Sequence, residues 1–227
     1  MPWCNVVLLL VVAPATIARA TEAAAEDAVG ARADTAWVLE KLARPAPMRT
    51  SFIEVRASRL LKEPLRLVGE YRRPDDDTLV REVRTPYAET TTITTGAGAG
   101  QATIERGSRS RTYSLERVPE LANLQASFGA MLAGDRAALE RYYAIATRGT
   151  RTRWSMALVP KEASLAGKVK QIVLYGRGSE LRCIETVPTG EGEVQRTLLA
   201  TAARAADATT DAVALAALCR GSETTGA

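Results

Sequence analysis

Leu65-Arg66-Leu67-Val68-Gly69-Glu70-Tyr71-Arg72-Arg73-Pro74 is the stretch whose reading decides the fold. Taken as a β-strand, it puts Leu65, Leu67, Gly69, Tyr71 and Arg73 on one face, because successive side chains alternate. Arg66, Glu70 and Arg72 occupy the other face, with Val68 among them. One face is therefore apolar and closes on an arginine. Pro74-Asp75-Asp76-Asp77 then punctuates the run as a solvated turn.

Working outward, similar short runs recur at roughly ten-residue spacing, the signature of an antiparallel meander. They are Thr50–Leu61, Thr78–Arg84, Ala88–Thr95, Gln101–Glu105 and Arg109–Leu115, separated by Lys62-Glu63-Pro64, Thr85-Pro86, the loop Gly96–Gly100 and Gly107-Ser108. Within Thr78–Arg84, Leu79 and Val83 share a face and Arg81 lies between them. After Pro119 the period changes. Leu121, Leu124, Phe128, Met131 and Leu132 follow helical spacing, and Asp135 after Gly134 caps a short helix over Asp135–Tyr143. Four more strands follow: Thr152–Val159, Lys168–Tyr175, Glu180–Val187 and Glu193–Leu199. Trp154, Met156 and Leu158 share one face of the first of these. Helices are expected at Glu22–Ala43 and Asp207–Leu218.

About ten strands, each with one apolar face, must curl around something. The expected fold class is α+β: a strongly curved antiparallel sheet, or incomplete barrel, of about 10–11 strands wrapped over helices.

The chain opens with a targeting signal. Val6–Val12 is wholly apolar, and Ala18-Arg19-Ala20 has the small-x-small form of a signal-peptidase site. Residues 1–20 are read as a signal peptide and 21–227 as a single domain. The apolar run is too short for a membrane span, which needs ~20 residues. Cys4 precedes it, so it is not a lipidated cysteine. Cys183 and Cys219 remain in the exported chain, and an oxidising compartment favours pairing them. Two unpaired small hydrophobes are the plainer alternative.

Composition narrows the chemistry. The 227 residues contain 30 Lys+Arg, 26 Asp+Glu and no histidine, for a formal charge of +4. Mechanisms built on imidazole are excluded. The small, dispersed excess charge does not point to nucleic acid. No catalytic residues, metal ligands or cofactor are read from the chain. Asp75-Asp76-Asp77 lacks the glycine and terminal glutamate of a calcium loop. Glu54 and Glu70 are the one carboxylate pair imaginable for a hydrolase.

The order of signal, helix, strands, central helices and strands resembles the LolA-type periplasmic carriers of outer-membrane lipoproteins, closest to their divergent LolA-related branch. The resemblance rests on Phe52-Ile53-Glu54-Val55-Arg56, Gly69-Glu70-Tyr71-Arg72-Arg73-Pro74 and Val83-Arg84-Thr85-Pro86-Tyr87-Ala88-Glu89. Leu132-Ala133-Gly134-Asp135 and Trp154-Ser155-Met156-Ala157-Leu158 complete it. It implies an unclosed barrel with a helical lid over a hydrophobic cavity. It also implies periplasmic carriage of acylated lipoprotein or lipid cargo from an inner-membrane exporter to an outer-membrane acceptor, by a monomer without cofactor. By that likeness Arg73, before Pro74, matches the arginine that holds the lid, with Arg72 the alternative if the register slips by one. The lipid-binding and lid set expected is Arg73, Tyr71, Leu67, Leu79, Val83, Leu121, Leu124, Phe128, Met131, Trp154 and Met156. Aromatic residues are only 5% of the chain, whereas the family's cavities are aromatic-rich. The cargo is thus open between a lipoprotein and another acyl lipid, such as a glycolipid or a polyketide-like product. A non-catalytic scaffold or partner-binding β-domain with a filled core is the competing reading.

Overall fold

A computed structural model of the chain describes residues 30–56, 64–95, 100–117, 129–206 and 210–221. The signal segment, most of the Gly96–Gly100 loop, and Leu121, Leu124 and Phe128 lie outside the described residues.

The first half supplies helix α1 (Thr35–Leu42) and strands β1 (Met48–Arg56), β2 (Leu65–Arg73), β3 (Thr78–Thr85), β4 (Glu89–Thr94), β5 (Gln101–Arg106) and β6 (Arg109–Ser114). A helical stretch at residues 129–133 leads to α2 (Arg136–Tyr142). Strands β7 (Tyr143–Thr150) and β8 (Arg153–Pro160), the turn of helix α3 (Ala163–Ala166), and β9 (Val169–Arg177), β10 (Glu180–Pro188) and β11 (Gln195–Leu199) follow. Helices α4 (Ala200–Ala205) and α5 (Ala212–Arg220) end the described chain.

All eleven strands form one antiparallel sheet, in the order β6-β5-β4-β3-β2-β1-β11-β10-β9-β8-β7. The sheet is curled but not closed, and β6 and β7 are its two edges. The topology explains the lid. The chain meanders from β1 outward to β6, then begins again at the opposite edge with β7. The connection between them, which includes residues 129–133 and α2, therefore leads from one edge to the other.

Each face of the sheet buries its own cluster. On the inner face, Val38, Leu39 and Leu42 of α1 and Leu139 of α2 pack on Trp154, Met156, Leu158 and Leu174. A second inner cluster joins Phe52, Leu67, Val83 and Leu199. On the outer face, Ile53, Cys183 and Leu198 are covered by Ala202 and Ala203 of α4 and by Leu215 and Cys219 of α5. Cys183 and Cys219 form a disulfide that pins α5 to β10.

Two strand glycines make room for aromatic rings. A Cβ at Gly69 would lie 2.9 Å from the Phe52 ring and 1.9 Å from the Glu82 carbonyl oxygen. A Cβ at Gly176 would lie 2.0 Å from Cζ2 of Trp154. Both rings therefore pack directly against bare backbone, and the β2–β3 register shifts at Val68/Gly69.

The helix expected over Glu22–Ala43 is shorter where it is described. Arg32 bridges to Thr150 in an isolated β-pair, and α1 starts only after the Asp34 cap, whose side chain accepts from the Trp37 N–H at 2.9 Å. Strand β7 and helix α4 were not foreseen. Tyr143-Ala144-Ile145-Ala146-Thr147 reads as either element in isolation, and pairing with β8 makes it a strand. The tail helix begins at Ala212, behind an Asp211 cap, rather than at Asp207.

Candidate functional site

Beneath α1 and residues 129–133 the inner face lines a half-open cavity of about 570 Å³. At the lid end its wall carries the apolar Leu42, Met48, Leu79, Ile93, Met131 and Leu132, with Arg44, Arg49, Ser179 and Glu180 at the rim. Leu79 pairs with Ile93 across β3 and β4, so strand register brings these two together.

The opposite end is polar and mostly buried. Glu54 is 2% exposed and faces inward near the C-terminal end of β1. Its carboxylate accepts from three donors: Arg56 Nε, Arg81 at 2.7 Å and Gln195 at 2.7 Å. Arg81 also lies with its guanidinium 4.9 Å from the centre of the Phe52 ring and 3.9 Å from Glu89. Burial is the largest influence and opposes the Arg81 charge, but the Glu54 carboxylate and Tyr71 together outweigh it and raise the Arg81 pKa. Tyr71, at the same level on β2, has its ring 4.7 Å from that of Phe52. Burial, and then the Glu54 charge, push the Tyr71 hydroxyl above its ordinary pKa.

Arg73 faces inward, as alternation along β2 requires, and is 7% exposed. It does not line the cavity; it ties the cavity's rim together. One Nη donates to the Arg44 carbonyl at 2.8 Å, and the other to Asp76 at 2.7 Å. The Arg44 N–H in turn donates to the Leu132 carbonyl at 3.0 Å, and the Arg44 side chain donates to the Ser179 carbonyl at 3.1 Å. The peptide segment after α1 is thus a hub joining β2, the helical segment at 129–133 and the β9–β10 turn. Arg72 points to the outer face and pairs with Glu82 at 3.1 Å.

Of the other expected residues, Tyr71, Leu79 and Met131 line the cavity. Leu67 and Val83 do not: both are 1% exposed, consumed by packing against Phe52 and Leu199. Trp154 and Met156 are also displaced from the expected role. They sit in the solid core under α1 and α2, where the Trp154 Nε1–H donates to the Gly178 carbonyl at 2.9 Å. The inner face is therefore divided, filled by helices over β7–β9 and hollow over β10, β11 and β1–β4. Glu54 and Glu70 are not a pair, since Glu70 stands opposite Ser51, on the other face of the sheet from Glu54.

The buried Glu54–Arg81 pole is the feature sequence reasoning did not assemble. Its trace was present, because Arg81 interrupts the apolar alternation of Leu79 and Val83. What joins it to Glu54 is the curl of the sheet across β2, which no local pattern encodes.

The sequence matches the family described as outer membrane lipoprotein carrier protein LolA-like over residues 23–222. No curated protein sequence matches it significantly. Among solved structures, it is similar to a LolA superfamily protein from Nitrosomonas europaea at 11% identity and TM-score 0.36, covering 72% of this chain and 90% of that one. It is similar to a chain of the Pseudomonas aeruginosa MucA/MucB complex at 15% identity and TM-score 0.34, covering 74% of this chain and 56% of that one. LprF from Mycobacterium bovis aligns at 11% identity and TM-score 0.30, over 73% of this chain and 91% of its own.

Proposed function

Since this chain belongs to the LolA-like family of outer membrane lipoprotein carriers, we propose that it binds acyl chains of a lipoprotein or other lipid in the cavity and shuttles them from inner to outer membrane. The observation that carries this reading is the hollow itself, with an apolar wall of Leu42, Met48, Leu79, Ile93, Met131 and Leu132 under a helical cover. Members of the family are carriers rather than enzymes. The reading places the protein in the periplasm, with residues 1–20 removed on export and residues 21–227 acting as one carrier domain. An inner-membrane exporter and an outer-membrane acceptor are its docking partners.

The energetics favour a closing lid. Burying ~14 methylenes at ~0.8 kcal/mol each is worth ~11 kcal/mol gross, too much for ready release. An empty, closed state must compete with the loaded one. The rim hub supplies that competition: Arg73, Arg44, Leu132 and Ser179 are joined by three hydrogen bonds. Each is worth ~1 kcal/mol net, and more where a charged group donates.

The test is solvent extraction of protein purified from the periplasm of an expressing host, with mass spectrometry of the extract. Near-stoichiometric acyl lipid is expected. A lipid-free extract, together with no transfer of acyl probes between vesicles by the purified protein, would refute carriage.

A further inference from the structure

The cavity has two unlike ends, and its size is limited. An apolar chamber needs no ion pairs, and burying charge is often no better for stability than packing hydrophobic residues in its place. Yet Glu54 is almost wholly buried at one end of this chamber, with two arginines on its single carboxylate. With Glu89 beside Arg81 the set of two arginines and two glutamates is balanced, and Arg56, its half-exposed member, is the cation an incoming group can reach. Glu89 reaches Arg81 only at 3.9 Å, too far for a hydrogen bond. Arg56 is spent on Glu54 through Nε, and its side chain is 46% exposed at the cavity's edge. A guanidinium held this way keeps its terminal N–H groups for an incoming acceptor, and its planar fork suits an oxyanion. Gln195, also on the wall, hydrogen-bonds Glu54 and leaves its amide oxygen to accept.

Volume sets the second limit. A methylene fills roughly the ~30 Å³ of a liquid water molecule. A cavity of about 570 Å³ therefore takes about twenty methylenes. One acyl chain of ~14 methylenes fits inside, while further chains would have to lie in the open mouth.

Resting on the lipid-carrier reading above, we infer that the resident ligand class is a single-chain amphiphile with an oxyanion head, its tail under Met131 and Leu132 and its head at the Arg56–Glu54–Arg81 pole. A fatty carboxylate and a lysophospholipid phosphate share that chemistry.

Delipidated full-length exported protein should be titrated by calorimetry and native mass spectrometry with five probes. These are palmitate, 1-palmitoyl lysophosphatidic acid, glycerol monopalmitate, hexadecyltrimethylammonium and a tripalmitoylated lipopeptide. One or both of the first two should bind one to one and at least roughly tenfold tighter than the neutral and cationic probes, since charge-assisted hydrogen bonds are the strong ones. Which of the two binds identifies the head. Arg56→Gln should bring the anion affinity down to that of the monoglyceride. Arg72→Gln, on the outer face, should leave the preference intact. Equal binding of all single-chain probes would overturn the head assignment and leave lipid carriage standing. Tightest one-to-one binding of the lipopeptide would overturn the one-chain limit and leave lipoprotein carriage standing. Binding of none of the five would overturn this inference and the carrier reading together.

Discussion

The Arg73 guanidinium donates to the main-chain carbonyl of Arg44 at 2.8 Å, joining the end of β2 to the segment that follows α1. Because the Arg44 N–H is itself bonded to Leu132, this one contact transmits the position of β2 to the cover of the cavity. Its partner Asp76 is 80% exposed on its side chain, so that ion pair contributes little.

Arg73→Leu is expected to keep the fold while lowering stability by about 1–3 kcal/mol, the value of a hydrogen bond to a charged group. It should also quicken hydrogen exchange at the Arg44 amide and slow lipid hand-off to acceptor vesicles. Arg72→Leu should change stability by no more than about 0.5 kcal/mol, as exposed ion pairs do. Urea unfolding and amide exchange of the two variants decide the matter. Equal behaviour would mean that Arg73 is an ordinary strand-end arginine.

Glu54→Leu should cost about 3–5 kcal/mol, because it strands Arg81 in a buried site without its carboxylate. Glu54→Leu combined with Arg81→Met should recover most of that loss. A double-mutant cycle on urea midpoints measures the coupling. Simple additivity would show the two residues to be independent.

Alkaline pH should destabilise the fold through Tyr71. Its pKa in the folded state is raised above the ordinary 10.0, chiefly by burial and next by Glu54. The stabilising contribution is complete below pH 10 and is lost as pH climbs toward the folded-state value, because the unfolded tyrosine releases its proton first. Tyr71→Phe should flatten the decline in urea midpoint above about pH 10. Tyr175 shifts the same way, by burial and Glu185, so some slope should survive.

Replacing Cys183 and Cys219 together by alanine should cost about 3–4 kcal/mol, the loop-closure value for a sequence separation of 36. Lipid affinity should hold, since this link lies on the outer face, away from the cavity. Denaturant midpoints and palmitate titration of the same variant test both halves of the statement.

Gly176→Ala should lose at least about 1–3 kcal/mol, the usual cost of overpacking a dense core, because the new methyl would overlap the Trp154 ring. Near-ultraviolet circular dichroism should report the tilted indole. An unchanged spectrum and midpoint would mean that the ring has room to move.

Much of the sheet was legible from local pattern. Alternation along Leu65–Arg73 separates inner Leu67, Tyr71 and Arg73 from outer Arg66 and Arg72. The same faces are seen in the fold, where the Arg66 guanidinium reaches the Thr210 carbonyl over the outer side at 2.7 Å. The lid set was less legible. Leu67, Val83, Trp154 and Met156 carry the same apolar, inward signal as Leu79 and Met131. Whether such a residue faces a helix or a void depends on what lies across the sheet, and alternation does not report that.

The amino-acid order alone settled every strand but β7, the strand faces and the inward arginine before Pro74, because these follow from a period of two and short turn signals. Tertiary structure decided which part of the inner face is filled and which is hollow. It also brought Glu54 of β1 to Arg81 of β3 across an intervening strand. Both outcomes depend on curvature and on helices arriving from distant parts of the chain, and those contacts leave no mark in any one segment.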